Sequence, residues 1–439
     1  MSDSAGAGSK RTSEHLDMPH AEPRQKIRKI HPFFENKEEP VSSGSFKWLD
    51  PLGPTRSCLH GLNLSPKASA KVAAFDLDGT LIKSDFGYAK KPSTTSTSLS
   101  WEWWRASIPA ILKEVVDSGY TVIIISNQAL KPQALKSWKL KIPSIAAALS
   151  NVPFRLFAAT AKDGYRKPMP GMWSELERIL HEDGVEIDKS QSFYVGDAAG
   201  RQYSGNRADF SSTDRKWALN VGIPFFTPEE YFLKLPPHTK TWLPGFHVSS
   251  LPADVPFITP TSSPLLPNPP KQELVLFVGY PCLGKTSFYR SHFEPAGYIH
   301  INQDTLKTRD KCVKEMQKVL HEGKSCVIDN TNRNTAIRKY YLDIARQLKI
   351  ATRCFFFAGS IELAWHNNLY RTYNLPPSVA AAEPRRELVP YIGFCGFRDN
   401  FEEPQLEEGF TEIKKVNWVF NGTEEEKRYW SMWLQIDGK

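Results

Sequence analysis

Lys71-Val-Ala-Ala-Phe-Asp76-Leu-Asp78-Gly79-Thr80-Leu81 is the stretch that sets the fold class. Four apolar residues, Val72–Phe75, run without alternation into two acids spaced two apart. An unbroken apolar run of that kind suits a strand covered on both faces, as in parallel sheets. Side chains two apart on an extended strand share a face, so Asp76 and Asp78 are expected to be neighbours. Adjacent carboxylates repel, which invites a divalent cation or a raised pKa on one of them. Magnesium suits carboxylate and phosphate oxygen. A carboxylate held beside a phosphate can attack phosphorus, and a second acid can protonate the departing oxygen and then activate water.

The pattern recurs further along the chain. Further apolar runs lie at Val122–Ile125 and Phe193–Val195, then at Leu274–Val278, Ile299–Ile301, Cys326–Ile328 and Cys354–Phe357, with longer helix-like segments between them. This alternation predicts an α/β protein of two Rossmann-like domains with mostly parallel sheets. In such sheets ligands bind beyond the carboxyl ends of the strands. After Leu274–Val278 comes Gly279-Tyr-Pro-Cys-Leu-Gly284-Lys285-Thr286-Ser287, which fits the phosphate-cradling GxxxxGK[ST] pattern between a strand and a helix. Backbone N–H groups from Gly279 to Gly284, and the helix start at Lys285, Thr286 and Ser287, would hold the phosphates of ATP. Lys285 would reach the β- and γ-phosphates and Thr286 would hold magnesium. Asp304 is placed to accept a hydroxyl proton. Asp329 is either a second magnesium acid or a turn acid beside Asn330 and Asn332. Arg371 suits a lid arginine over the transferring phosphoryl group, or else a solvated helix arginine.

Ten prolines crowd residues 236–271, where regular structure is not expected. The expected organisation is a disordered basic tail over 1–45, a first domain over 46–235, a Pro-rich linker over 236–271 and a second domain over 272–439. In the tail, Lys10-Arg11 with Arg24, Lys26, Arg28 and Lys29 could form a split nuclear-localisation signal, and Phe33-Phe34 could be a docking peptide. The 439 residues are 40% hydrophobic and carry a formal net charge of +8, a balance that favours polyanionic partners. The six cysteines include no CxxC pair and no zinc spacing, so free thiols in a reducing compartment are expected. No apolar run is long enough to span a bilayer.

Four motifs of the first half follow the order seen in haloacid-dehalogenase-type phosphatases: the DLDGT segment, Ser126, Lys167 in Tyr165-Arg-Lys-Pro, and Asp197 in Val195-Gly-Asp. That resemblance implies Asp76 as nucleophile and Asp78 as general acid/base. It implies Ser126 as the phosphate-holding hydroxyl and Lys167 as the neutraliser of charge. The magnesium site would be Asp76, the Asp78 carbonyl and Asp197. From about Lys47 onward the chain resembles the eukaryotic polynucleotide 5′-kinase/3′-phosphatases. Besides these motifs the resemblance rests on Tyr165–Trp173, Gly196–Arg201, Asp209–Arg215, Ile328–Asn332 and Glu408–Thr411. It implies removal of 3′-phosphate through an aspartyl-phosphate and ATP-dependent phosphorylation of 5′-hydroxyl ends of DNA. The setting would be strand-break repair in the nucleus, at single strands, nicks or gaps, by a monomer. Asn127, Arg166 and Lys307 are the candidate substrate contacts. RNA end healing is the alternative, and a catalytically inert repair scaffold a more distant one.

Animal members carry a forkhead-associated domain. The roughly 70 residues before the first catalytic strand are too few for that sandwich, so a form without it is expected. Where relatives often have Arg before the kinase aspartate, this chain has Gln303. Relatives also often have Thr at the position of Ser126. The insert from Lys83 to Arg105, with Lys90, Lys91, Trp101, Trp103 and Trp104, could hold a single strand by phosphate contact and base stacking. Core packing is the preferred reading for Trp103 and Trp104.

Overall fold

Val72–Phe75 is a strand, and it lies inside a seven-stranded sheet. The structure, a computed structural model, describes residues 45–83, 101–128, 130–205 and 208–435. The strands of this sheet are β1 (Phe46–Leu52), β2 (Cys58–Asn63), β3 (Val72–Phe75), β4 (Thr121–Asn127), β5 (Phe154–Ala159), β6 (Phe193–Val195) and β7 (Phe225–Phe226). Their order is β1-β2-β5-β4-β3-β6-β7. All pairings from β5 to β7 are parallel, while β1 and β2 add an antiparallel edge.

Among the described residues five helices flank the sheet: α1 (Ile108–Asp117), α2 (Pro132–Ala147), α3 (Gly171–Glu182), α4 (Thr213–Val221) and α5 (Pro228–Leu233). The strand pleat divides the apolar run between two cores. Ala73 and Phe75 pack with Leu112 of α1 and Ile142 of α2. Val72 and Ala74 pack with Trp173 of α3 and Trp217 of α4 on the other face. This two-sided burial is why the run shows no polar alternation.

The second sheet repeats the scheme. Its strands are β8 (Ile258–Thr259), β9 (Glu273–Val278), β10 (Ile299–Ile301), β11 (Cys326–Asp329), β12 (Ala351–Ala358) and β13 (Glu412–Asn417), in the order β10-β11-β9-β12-β13-β8. Every pairing is parallel except that of β8. The helices are α6 (Lys285–Phe288), α7 (Gln303–Leu306), α8 (Arg309–His321), α9 (Thr335–Gln347), α10 (Ile361–Tyr373), α11 (Pro377–Ala382), α12 (Tyr391–Arg398) and α13 (Glu424–Trp430).

In each sheet one strand sits where the winding reverses. β3 lies between β4 and β6, and β9 lies between β11 and β12. Such a switch point opens a crevice beyond the carboxyl ends of the strands. The DLDGT segment follows β3 and the glycine-rich loop follows β9, so topology alone puts both motifs at crevices.

Two expectations need correction. The Pro-rich stretch 236–271 contains β8, which pairs antiparallel with β13. Proline is tolerated there because β8 is an edge strand. Val248, Leu251, Leu265 and Leu266 from the same stretch pack against the second core. Asp76 and Asp78 are not on the strand itself: β3 ends at Phe75, and both acids lie in the turn beyond it. The tail with its basic pairs and Phe33-Phe34, and Lys90 and Lys91 of the insert, lie outside the described residues. Among the described residues no helix is long and apolar enough to cross a membrane. All six cysteines are free thiols.

Candidate active sites

The first site is built around a buried ammonium. Lys167 is 2% exposed, and its Nζ lies 2.6 Å from Asp76 Oδ1 and 2.7 Å from Asp214 Oδ1. It also donates to the Ile125 carbonyl at 3.0 Å and to the Tyr194 hydroxyl at 2.8 Å. Tyr194 in turn donates to Asp214 Oδ1 at 2.8 Å, and the Ala198 N–H reaches Asp214 Oδ2 at 3.0 Å. Asp76 is fixed from behind by its own N–H, which donates to the Val195 carbonyl of β6 at 2.8 Å. Each partner comes from the carboxyl end of a strand or the first turn of a helix that faces the switch point.

Asp76, Asp197 and Asp214 each offer a carboxylate oxygen within 4.8 Å of the others. Burial pushes the Asp76 carboxyl up to about 7, against the downward pull of Lys167 and with a further upward push from Asp214. Burial, then the charges of Asp76 and Asp214, hold Asp197 well above the usual carboxylate range. Burial alone would lower Lys167, but Asp214 and Asp76 outweigh it and the ammonium is favoured. A cluster of acids with one cation is short of positive charge, and a hard divalent cation on these oxygens would supply it. The backbone is shaped to the cluster: Gly79 has φ +89°, and a Cβ there would sit 2.2 Å from Asp197 Oδ2. The donor set therefore fits magnesium.

The expected residues are thus brought together, with three amendments. Asp214 was not foreseen, although it closes the Asp209–Arg215 string. The Asp78 carboxylate is not part of the three-acid group; it accepts from Gln128 Nε2, which also donates to the buried Ser126 hydroxyl at 3.0 Å. Asn127, expected as a substrate contact, is half-buried. Its side chain is consumed by Lys167, accepting from the Lys167 N–H at 2.9 Å and donating to the Lys167 carbonyl at 3.1 Å. Arg166 is half-buried, and its Nε and Nη1 have no partner among the described residues. Trp101, Trp103 and Trp104 pack half-buried on the first core, and with Lys83 and Arg105 they line an open cavity of about 530 Å³.

The second site begins where β9 ends. Gly284, at φ +82°, turns the loop into α6, and Lys285 lies back over the loop it must serve. Its Nζ donates to the carbonyls of Gly279 at 3.1 Å and Tyr280 at 2.6 Å. Burial pushes the Lys285 ammonium down, partly offset by the field of Asp329 and, more weakly, Asp304. Thr286 Oγ1 donates to Asp329 Oδ2 at 2.6 Å, and His300 Nε2 lies 2.9 Å from the same oxygen. Asp329 at the end of β11 therefore faces the loop and is more than a turn acid. Asp304 is exposed in the first turn of α7, whose Gln303 N–H is anchored on Asn330 at 2.8 Å. Lys307 is also exposed, and its Nζ donates to the Asp304 carbonyl at 2.7 Å. Arg371, near the end of α10, bears on both Lys285 and Cys282 electrostatically, and its buried Nε has no partner among the described residues. Ser287 is exposed on the first turn of α6. A loop that ends on the buried Lys285 ammonium, with Thr286 beside Asp329, suits the phosphates of a nucleotide.

The fold and the two sites define a phosphatase domain followed by a P-loop kinase domain. Comparison with known proteins agrees. The polynucleotide kinase 3 phosphatase family matches residues 71–232, and an AAA domain family matches residues 274–382. The bifunctional polynucleotide phosphatase/kinase of Schizosaccharomyces pombe is 36% identical over 375 residues, which is 84% of this chain and 84% of that protein. A putative bifunctional polynucleotide phosphatase/kinase of Acanthamoeba polyphaga mimivirus is 32% identical over 83% of this chain and 89% of its own length. The polynucleotide 3′-phosphatase of Saccharomyces cerevisiae is 27% identical over 39% of this chain and 88% of its own. Among solved structures, a gluconokinase from Sinorhizobium meliloti overlaps 36% of this chain and 89% of its own with a TM-score of 0.26 at 15% identity, a likeness that assigns nothing further. The chain belongs to the bifunctional polynucleotide phosphatase/kinase family.

Proposed function

We propose that this chain prepares broken DNA ends for joining, removing 3′-phosphate at the first site and phosphorylating the 5′-hydroxyl at the second. One observation carries the reading. A buried Asp76–Lys167–Asp214 constellation and a phosphate loop stand at the switch points of two sheets in one chain. A phosphatase and a kinase acting on one hydroxyl would cancel each other; acting on two different termini they cooperate.

At the first site, a carboxylate oxygen of Asp76 attacks phosphorus as the bond to the 3′-oxygen breaks, and Asp78 gives its proton to that oxygen. Water then attacks the aspartyl-phosphate, Asp78 takes the water proton, and inorganic phosphate leaves. Lys167 offsets charge on the phosphate and Ser126 holds it. Arg166, whose buried Nε and Nη1 have no partner among the described residues, is the candidate contact to the DNA backbone. Magnesium on Asp76, Asp197 and Asp214, with the Asp78 carbonyl, would stabilise the charge that gathers on the phosphoryl oxygens.

At the second site, Lys285 draws the β- and γ-phosphates of ATP into the loop, with Thr286 and Asp329 as the magnesium side. Asp304 accepts the proton of the 5′-hydroxyl as the γ-phosphoryl group is transferred to it. Arg371 stabilises the charge in flight, and Lys307 steadies the incoming end. The proposal includes nuclear residence and a monomeric state. It is tested with matched DNA and RNA oligonucleotides carrying 3′-phosphate and 5′-hydroxyl ends. Faster processing of DNA at both ends is expected. A clear preference for RNA at both would replace DNA repair by RNA end healing.

A further inference from the structure

Lys167 opens a short loop, residues 167–170, whose outer side is covered by the kinase half. Met169 is 1% exposed in an apolar cluster with Leu369 of α10 and with Met432 and Leu434, which follow α13. Just before the loop, Gly164 meets the last residue of α10 so closely that a Cβ would sit 2.8 Å from the Tyr373 carbonyl. The Pro168 carbonyl, one peptide beyond Lys167, accepts from Asn220 Nδ2 at 2.7 Å. That Nδ2 also donates to the Trp433 carbonyl at 2.7 Å, and the Trp433 N–H donates to Asn220 Oδ1 at 2.7 Å. Asn220 lies at the end of α4 and is 8% exposed, so water competes little for its bond to the buried Pro168 carbonyl.

The loop is thus hung from two asparagines. Asn127 holds the Lys167 backbone from the phosphatase sheet. Asn220 holds the next peptide and passes the load to Trp433. The ammonium they position donates three hydrogen bonds and forms one further ion pair with Asp214, all at 2.6–3.0 Å. A misplacement of about 1 Å at such a group costs on the order of 100-fold in rate.

We propose that Asn220, seated on the kinase-half segment Tyr429–Leu434, is a positioning residue of the phosphatase that sets where Lys167 meets the bound phosphate. The inference rests on the reading of Lys167 as the phosphate's counter-charge. It makes the kinase half part of the phosphatase scaffold, a role separate from its own catalysis.

The test uses the full chain with Asn220→Asp, which keeps the shape but sets a carboxylate oxygen against two carbonyls. Inorganic phosphate is titrated as an inhibitor of 3′-phosphate removal in excess magnesium. The kinase kcat on an oligonucleotide with hydroxyls at both ends reports the folded fraction. The expected result is an inhibition constant for phosphate raised about ten-fold, with phosphatase kcat lowered by a similar factor and kinase kcat within two-fold of wild type. An inhibition constant does not depend on the folded fraction, so a merely structural role would leave it unchanged while both rates fell together. That result overturns the proposal. If Asn220→Asp loses both activities, Asn220→Ser decides by the same two readouts. Wild-type protein that releases no phosphate from 3′-phosphorylated DNA would instead defeat the functional reading itself.

Discussion

Asp214 holds half of the charge that fixes Lys167, and it does so from the first turn of α4, with no strand end to announce it. Asp214→Asn should keep the size but lose the charge and, with an NH2 in place of one oxygen, one of the two acceptors that meet Lys167, Tyr194 and the Ala198 N–H. Release of 3′-phosphate is then expected to fall roughly 100-fold in kcat/KM, measured under single-turnover and steady-state conditions, with the kinase unaffected. Asp214→Ala should also cost about 3 kcal/mol in urea unfolding, because it removes one of the two carboxylates that pair a buried ammonium. Wild-type activity in Asp214→Asn would remove it from the site. Gly79→Ala should be as damaging to the phosphatase, since φ +89° and the Asp197 carboxylate both oppose a Cβ. Asp76, Ser126, Lys167 and Asp197 were legible in the sequence because motif residues mark them, three of them just beyond apolar runs. Gln128 and Asp214 act from beside or behind those residues, and neither composition nor spacing marks them. Asn127 has the right position for a substrate contact, and only the bonds to Lys167 show that it is occupied.

β3, β4 and β6 of the first sheet and β9 to β12 of the second could be read directly, because burial on two faces leaves an unbroken run, whereas β5 could not, its run interrupted by Arg155. Nor could β13: Glu412, Lys414 and Lys415 break its apolar pattern. Lys414 is nonetheless 1% exposed, with its Nζ on the carbonyls of Pro260 at 3.2 Å and Ser263 at 2.9 Å. Glu412 pairs its charge at 3.3 Å from two residues away, while the carbonyls that let the ammonium be buried come from 154 and 151 residues away in sequence, which no local pattern can show. β8 was hidden in the same way by its flanking prolines. Helix α10 carries a testable element-scale effect. Burial pushes His366 down to about 4, and its Nε2–H donates to the Trp430 carbonyl at 2.7 Å. A base depressed in the folded state binds fewer protons there than in the unfolded chain below pH 6.5. Its contribution is therefore complete above about pH 6.5 and is lost as pH falls towards 4. Between pH 6.5 and 5 the loss should be about 2 kcal/mol. Urea midpoints for wild type and His366→Gln should converge across that interval; a constant gap between them would show that His366 does not titrate with unfolding.

At the scale of the molecule, two sites with separate chemistries share a scaffold, and the described interface runs through Met169, Asn220 and Trp433. Both sites gather protein oxygens, Asp76, Asp197 and Asp214 at the first and Thr286 and Asp329 at the second, and on the proposed reading both should stop on chelation of magnesium, the phosphatase and kinase recovering together when the ion is restored. An activity that survives chelation would refute the metal assignment at that site. The central claim is that Asp76 and Lys285 each govern one terminus of the same strand. The most direct measurement gives one DNA oligonucleotide, with a 5′-hydroxyl and a 3′-phosphate, to the wild type and to two variants in magnesium and γ-labelled ATP. Wild type should yield a labelled 5′ end and a free 3′-hydroxyl, Asp76→Asn the label alone, and Lys285→Ala the 3′-hydroxyl alone. Loss of both products in either folded variant, or of the opposite product, would contradict the account.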